Sequence, residues 1–411
     1  MAWFSGMDKL ASLIGTKLDR ISSYEDARAK ARCALPRGLF DYVDGGSEGE
    51  YTMRRNVEAF EELVWRPKQA IYHEQIDTAT EVLGTKLAMP VMTAPCGGMR
   101  LVHPEGDIGL VKAAATFGIC PITSAVSGFP LEEIAASHPG PKWFQLYRLG
   151  SRPLMESLVH RAQAAGFGAM VVTVDSVMAG YREKDYRNGF SYNMRIDLKN
   201  MARLAPQVVA RPRWLYHYWR DRMPFEISNT LPVDGGEALP ISAMGRTDLS
   251  HSPTWDDIDW VRTNWEGPMV VKGVMGAEDA RRAVDAGADG LVVSNHGGRQ
   301  LEGAPATIDV LPEIVAAVGG DTTILLDSGV RRANDVARAV ALGADAVLIG
   351  RMSVYGLALG GEAGVTRMLR LLHQELVRTL RLLGVASIHE LDPSFIDGTL
   401  PGRAAPNPST R

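Results

Sequence analysis

The chain is 411 residues long, with 45% hydrophobic and 22% charged residues, the balance of an ordinary globular fold with one large core. A net charge of −4 gives no electrostatic attraction for a polyanion, which sets nucleic acid aside as a partner. The cysteines Cys33, Cys96 and Cys120 are odd in number and lack metal-ligand spacing, so free thiols in a reducing, cytoplasmic setting are expected and a structural metal is not.

In chain order, Asp8, Lys9, Lys17 and Asp19 interrupt each apolar stretch near the N-terminus, so no signal peptide is expected, and no segment has the length to span a bilayer. Trp3, Met7, Leu10, Ile14 and Leu18 share one helical face, which packs on the protein itself or meets a partner or membrane surface. From residue 90 onward, eight short apolar runs read as strands: Val91–Ala94, Ile119–Thr123, Trp143–Tyr147, Met170–Val174, Met269–Lys272, Leu291–Ser294, Ile324–Asp327 and Ala346–Gly350. Amphipathic stretches alternate with them, among them Leu131–Ser137, Pro153–Ala165, Ala277–Ala286 and Ala333–Leu342. Strands apolar on both faces, in eight βα repeats, predict a (β/α)8 TIM barrel, and no G-x-G-x-x-G turn supports an open doubly wound sheet.

Residues 1–88 then read as a helical segment closing the barrel, 89–385 as the barrel itself and 386–411 as a C-terminal tail whose Pro-rich polar end, from Leu400 to Arg411, is expected to fray. The stretch 176–253, after the fourth strand, is too long for a βα connection and reads as an insertion. Within it Arg211 to Arg222 interleaves cations with aromatics, which suits a lid, a subunit contact or, over 201–225, a peripheral contact with a membrane interface.

In a barrel the residues just past the strand C-termini line the active-site mouth. That rule gathers Pro95 to Gly97, Ser124, Tyr147, Asp175, Lys272, His296, Asp327 and Arg351. Lysine rarely points into a barrel without an anionic partner, so Lys272 is expected to balance negative charge on a cofactor or substrate. Asp327-Ser328-Gly329-Val330-Arg331 and Gly350-Arg351 pair glycines with arginines as phosphate sites do, although a turn with surface arginines would read the same way. His296 follows a strand end, precedes two glycines and stands three residues before Arg299, a base beside a carboxylate-binding cation. Arg182 offers a second carboxylate contact, and Asp175 is either the group that orients the histidine or a capping aspartate. Tyr42 and Tyr147 add hydroxyls at the same mouth.

Ser294-Asn295-His296-Gly297-Gly298-Arg299-Gln300-Leu301, together with Phe40 to Gly46 and Trp143 to Tyr147, resembles the FMN-dependent 2-hydroxy-acid oxidases and dehydrogenases over about Tyr24 to Asp392. Gly180 to Asn188 looks most like the (S)-mandelate dehydrogenase branch, beside the quinone-linked L-lactate dehydrogenases. The resemblance implies FMN held around Pro95, Cys96 and Gly97 and by Ser124, Gln145, Thr173, Lys272 and Ser294. It places Asp327 on the ribityl chain and Gly329, Arg331, Gly350 and Arg351 on the phosphate. It implies a substrate carboxylate on Arg182, Arg299 and Tyr42, with Tyr147 near the hydroxyl and His296 taking a proton with the help of Asp175.

Val126 stands where glycolate oxidase-like members carry a bulky aromatic, which implies room for a larger substrate side chain, and Gly97 matches the mandelate dehydrogenase branch. The expected activity is therefore oxidation of a bulky or aromatic (S)-2-hydroxy acid with electrons passed to a quinone. The alternatives are a peroxide-forming oxidase or an enzyme acting on a peptide-derived precursor, whose similar relatives lack the arginine three residues after the histidine. A homotetramer is implied by the resemblance alone; the expected location is cytoplasmic, or peripheral on the cytoplasmic face of the inner membrane through the 201–225 stretch.

Overall fold

The computed structural model describes residues 18–149, 152–188, 198–223, 226–230, 250–251 and 253–397. Of the apolar stripe at the N-terminus, only Leu18 falls within these residues. Eight parallel strands run in sequence as β1 (Val91–Thr93), β2 (Ile122–Ser124), β3 (Trp143–Leu146), β4 (Met170–Thr173), β5 (Met269–Val274), β6 (Gly290–Val293), β7 (Thr323–Leu326) and β8 (Ala346–Ile349). Each pairs with its neighbours in order, β8 pairs with β1, and a bridge between Thr93 and Pro121 brings β1 against the start of β2, so the sheet closes as a TIM barrel. The second strand begins later than its apolar run, which starts at Ile119, because Pro121 has no N–H to give the ladder.

Side chains alternate across a strand, so one residue in two faces the barrel interior. Met92, Ile122, Trp143, Val171, Val270, Val292, Leu325 and Leu348 form one inner cluster, while Val91, Val172, Val271, Val293, Leu326 and Val347 belong to the layer beneath the surrounding helices. Two residues further along each strand, the same inward parity brings Ser124, Gln145, Thr173, Lys272, Ser294, Asp327 and Gly350 to the C-terminal end of the barrel. A polar layer thus rests directly on an apolar floor.

The N-terminal segment supplies helices Tyr24–Ala34, Arg37–Asp44 and Tyr51–Glu61, the first capped by Ser23, whose Oγ accepts the Asp26 N–H at 3.0 Å. It is not helical throughout. A hairpin of Thr80–Val82 and Thr85–Leu87 plugs the opposite end of the barrel, with Val82 and Leu87 joining the inner cluster. In the C-terminal segment Ile396 and Asp397 pair with Trp65 and Val64; the rest of the expected tail lies outside the described residues.

The insertion carries helices Glu183–Asn188, Leu198–Val209 and Pro212–Arg220. Its cation–aromatic stretch is the last of these, and that helix docks on its own protein: Trp214 Nε1 donates to Leu101 O at 2.8 Å. Gln207 Oε1 accepts the Gly38 N–H at 2.9 Å, supplying a cap that Pro36 lacks at the start of the Arg37–Asp44 helix. Trp219 and Val209 remain exposed. Among the described residues, no helix is long and apolar enough to cross a membrane.

Candidate active site

An open cavity lies over the polar layer, walled by Tyr42, Met99, Val126, Tyr147, Arg182 and Arg299 among others. Of the residues expected to converge, Tyr42, Pro95, Cys96, Gly97, Val126, Tyr147, Arg182, Lys272, His296, Arg299, Asp327, Gly329, Arg331, Gly350 and Arg351 all line it. Ser124, Gln145, Thr173 and Ser294 are not part of the lining but share the polar layer of Lys272 and Asp327, and Asp175 follows two residues past the end of β4, against His296.

His296 is the centre of a hydrogen-bonded chain. Its Nδ1 is 2.9 Å from Asp175 Oδ1 and its Nε2 is 3.3 Å from the Tyr147 hydroxyl. With the Nδ1 proton donated to the carboxylate, Nε2 is left as the acceptor facing the cavity. Burial alone would raise the Asp175 carboxyl, but His296 and Lys272 beside it more than offset that and hold it below the usual carboxylate range. Asp175 is thus an ionised partner of the histidine, and its Oδ1 takes no part in capping a helix.

The backbone at His296 is left-handed, with φ +60°, as is Ser328 at +71°. Such non-glycine conformations cost ~1–3 kcal/mol each and persist only where neighbours hold them. Here the His296 N–H donates to Ser294 Oγ at 3.1 Å and the Gly297 N–H to Ser328 Oγ at 2.8 Å. Lys272 Nζ donates to Ser294 Oγ at 2.8 Å and pairs with Asp327 Oδ2 at 3.1 Å, while Ser328 Oγ donates to Asp327 Oδ1 at 2.7 Å. The circuit closes around the histidine loop and ties it to the buried lysine. Burial would depress the Lys272 ammonium, but Asp327 and Asp175 outweigh it and keep the group cationic. Gly298 is needed where it stands, because a Cβ there would lie 2.5 Å from Met53 N.

Arg299 is fixed on the wall by Nη1, which donates to Tyr42 O at 2.8 Å and to Gly45 O at 2.9 Å. Arg182 donates from Nε to Asp185 Oδ2 at 2.7 Å, and both guanidiniums lie within cation–π distance of the Tyr42 ring, at 5.3 and 5.2 Å. Arg351 departs from the simplest expectation. Its Nε, Nη1 and Nη2 donate to Asp44 O, Gly297 O and Gly45 O, so the side chain staples the N-terminal loop to the histidine loop as well as lining the cavity. Its guanidinium is pushed below its ordinary pKa by burial and by the like charges of Arg331 and Arg299. Three crowded cations of this kind suit an anion, and the helix that opens at Arg351 adds N–H groups without carbonyl partners.

The polar layer also fits a large heteroaromatic cofactor. Gln145 Nε2 and Thr173 Oγ1 are buried without a hydrogen-bond partner among the described residues, polar atoms that a bound cofactor would satisfy. Sequence reasoning missed two supports. Gln300, inside the histidine motif, donates from Nε2 to Asp175 O and Met178 O and accepts the Gly180 N–H, holding the loop after β4 that carries Asp175. Ser328, read in the sequence only as part of the run from Asp327 to Arg331, is the other: its Oγ joins the Gly297 N–H to Asp327 Oδ1.

Beneath the Val126 loop, Asp107 is 3% exposed and accepts from Ser127 Oγ at 2.7 Å. Burial pushes its carboxyl up to about 6, with the Ser127 hydroxyl offsetting part of the effect. The protonated form favours the fold, so its contribution is present below about pH 4, where the unfolded carboxyl titrates, and is lost as pH rises through about 6. Asp107→Asn is therefore expected to gain thermal stability over the parent chain progressively between these values, in melting curves taken across that range. A difference independent of pH would contradict the assignment.

The profile of the FMN-dependent dehydrogenase family matches residues 31–398. The chain is 41% identical over 373 residues to an L-lactate dehydrogenase of Pectobacterium atrosepticum, covering 90% of this chain and 95% of that one. It is likewise 41% identical to an L-lactate dehydrogenase of Chromohalobacter salexigens, covering 92% and 96%. The crystal structure of the monotopic membrane protein (S)-mandelate dehydrogenase superposes with a TM-score of 0.87 at 35% identity, covering 92% of this chain and 100% of that one. The fold, the cavity and these matches agree, and the chain belongs to the FMN-dependent dehydrogenase family, an oxidoreductase whose cofactor is FMN.

Proposed function

We propose that this enzyme oxidises an (S)-2-hydroxy acid with a bulky or aromatic side chain to the 2-keto acid, His296 acting as the base. The chain Tyr147–His296–Asp175, facing a wall that holds Arg299 and a floor that holds Lys272, is the observation that carries this reading. Bound FMN supplies the two-electron oxidation at C2 of the substrate. Gln145, Thr173, Lys272 and the backbone at Pro95, Cys96 and Gly97 would face its ring, with Ser124 and Ser294 behind them. Asp327 would hold its ribityl chain, and Gly329, Arg331, Gly350 and Arg351 its phosphate.

Arg299, Arg182 and Tyr42 bind the substrate carboxylate and Tyr147 the hydroxyl. His296 Nε2 takes the proton, and Asp175 stabilises the imidazolium that forms. Lys272 keeps positive charge on the floor where negative charge develops during the oxidation.

Val126 borders the substrate side chain in this reading, and Gly97 leaves space beside it. A Cβ on Gly97 would lie 3.1 Å from Val126 Cβ, tighter than ordinary contact. A second reading, L-lactate, is favoured by the names of the 41%-identical relatives. The test is kcat/KM for (S)-mandelate and L-lactate on one preparation: a clear preference for mandelate supports the first, and a clear preference for lactate replaces it. The acceptor is proposed to be a quinone, reached by peripheral membrane contact through the 201–225 region. Its exposed Trp219 and Val209, and the monotopic character of the mandelate dehydrogenase neighbour, support that reading. Reoxidation of the reduced enzyme by a soluble quinone much faster than by oxygen is the expected result; the reverse order would make it an oxidase.

Ser328→Gly tests the circuit around the base. Glycine accepts a φ of +71° without strain, so the fold and bound FMN should be retained. Deleting two hydrogen bonds to the histidine loop and Asp327 should still slow flavin reduction about fivefold, the weight of roughly 1 kcal/mol. An unchanged reduction rate would show that the loop holds its conformation without the serine.

A further inference from the structure

The loop from Ala125 to Leu131 leaves β2, carries Val126 to the cavity and enters the helix Leu131–Ala136. Its inner edge is held by the barrel: Ala125 N donates to Gln145 O at 2.9 Å, and Val126 O accepts the Gly98 N–H at 3.0 Å. Its outer edge is held by residues about a hundred positions away, on the returning limb of the insertion. Asn229 is fully buried there. Its Nδ2 donates to Ala125 O at 3.1 Å and its Oδ1 accepts the Leu131 N–H at 2.8 Å, so one side-chain amide bridges the two ends of the loop. The second bond also caps the helix that Pro130 leaves without a side-chain cap. Ser228 N adds a bond to Ser127 O at 2.9 Å, and Arg161 Nη1 donates to Asn229 O at 3.3 Å.

We propose that Asn229 is a positioning residue for substrate selectivity. By fixing both ends of the loop it presses Val126 toward Gly97, and so sets which 2-hydroxy-acid side chain fits beside the reacting carbon. It also joins the insertion to the pocket wall, because the limb that bears Asn229 continues from the helix Pro212–Arg220. The inference rests on the reading that Val126 borders the substrate side chain.

The experiment compares the ratio of kcat/KM for (S)-mandelate to that for L-lactate in the holoenzyme, per bound FMN, for Asn229→Ala, Val126→Ala and the double variant. A ratio measured on one preparation is indifferent to the folded fraction, which a purely structural role would change. Loss of the bridge is expected to move the ratio about fivefold, the effect of roughly 1 kcal/mol of hydrogen bonding. Val126→Ala should move it as well, and the double variant should match Val126→Ala alone, because the bridge then has no wall to position. A ratio moved by Val126→Ala and untouched by Asn229→Ala would leave the Val126 reading standing and overturn the proposal. A ratio untouched by Val126→Ala would sink the Val126 reading, and the proposal with it. If Asn229→Ala fails to retain FMN, Asn229→Asp takes its place, since it keeps an acceptor for Leu131, and the same outcomes decide.

Discussion

His296→Gln is expected to fold, bind FMN and lose flavin reduction by about a thousandfold, the contribution of a positioned general base. Glutamine still places a polar amide near Tyr147 and Asp175, so the loop and its hydrogen bonds are preserved as far as a neutral side chain allows. What it cannot do is accept a proton at neutral pH. The loss should therefore fall on the rate of reduction at saturating substrate, with flavin content and melting temperature near those of the parent chain. Asp175 is held ionised by His296 and Lys272, so removing it is expected to take away the charge that stabilises the imidazolium while leaving the base itself in place. Retained turnover in His296→Gln would remove the histidine from the role of base.

Arg299→Met should lower kcat/KM by roughly 100-fold or more, the weight of charge-assisted hydrogen bonds to a carboxylate. Its Nη1 holds Tyr42 O and Gly45 O, so the substitution also frees the segment that presents Tyr42. Both KM and kcat are then expected to worsen, since ground-state binding and alignment are lost together. Arg299→Lys should recover part of the affinity through its charge and little of the alignment, because an ammonium lacks the planar fork. Unchanged KM and kcat in Arg299→Met would refute the carboxylate assignment.

Why so much of the barrel was legible in the sequence follows from its architecture. Parallel strands buried on both faces appear as continuous apolar runs, and the polar residue that ends the inward-facing row of six of the eight, Ser124, Gln145, Thr173, Lys272, Ser294 and Asp327, marks the mouth. Val270 to Lys272 and Leu325 to Asp327 show the pattern plainly. The second strand was displaced because Ile119 and Cys120 are as apolar as strand residues yet precede a proline. The hairpin at Thr80–Leu87 escaped notice since its strands are only three residues long. Catalytic groups in the histidine motif were legible because chemistry and spacing coincide there. Asn229 was not, because its partners Ala125 and Leu131 lie far away in sequence and only the closed fold brings them to one amide. Arg351 was read for its charge, whereas the structure also uses its three nitrogens on carbonyls of Asp44, Gly45 and Gly297.

The most direct measurement is anaerobic rapid mixing of the FMN-loaded enzyme with (S)-mandelate, L-lactate and glycolate, following the oxidised flavin absorbance. The account predicts fast bleaching by at least one (S)-2-hydroxy acid, fastest with mandelate, and its near-complete loss in His296→Gln. An FMN-loaded enzyme that stays oxidised with all three acids would contradict the assignment of this cavity to 2-hydroxy-acid oxidation.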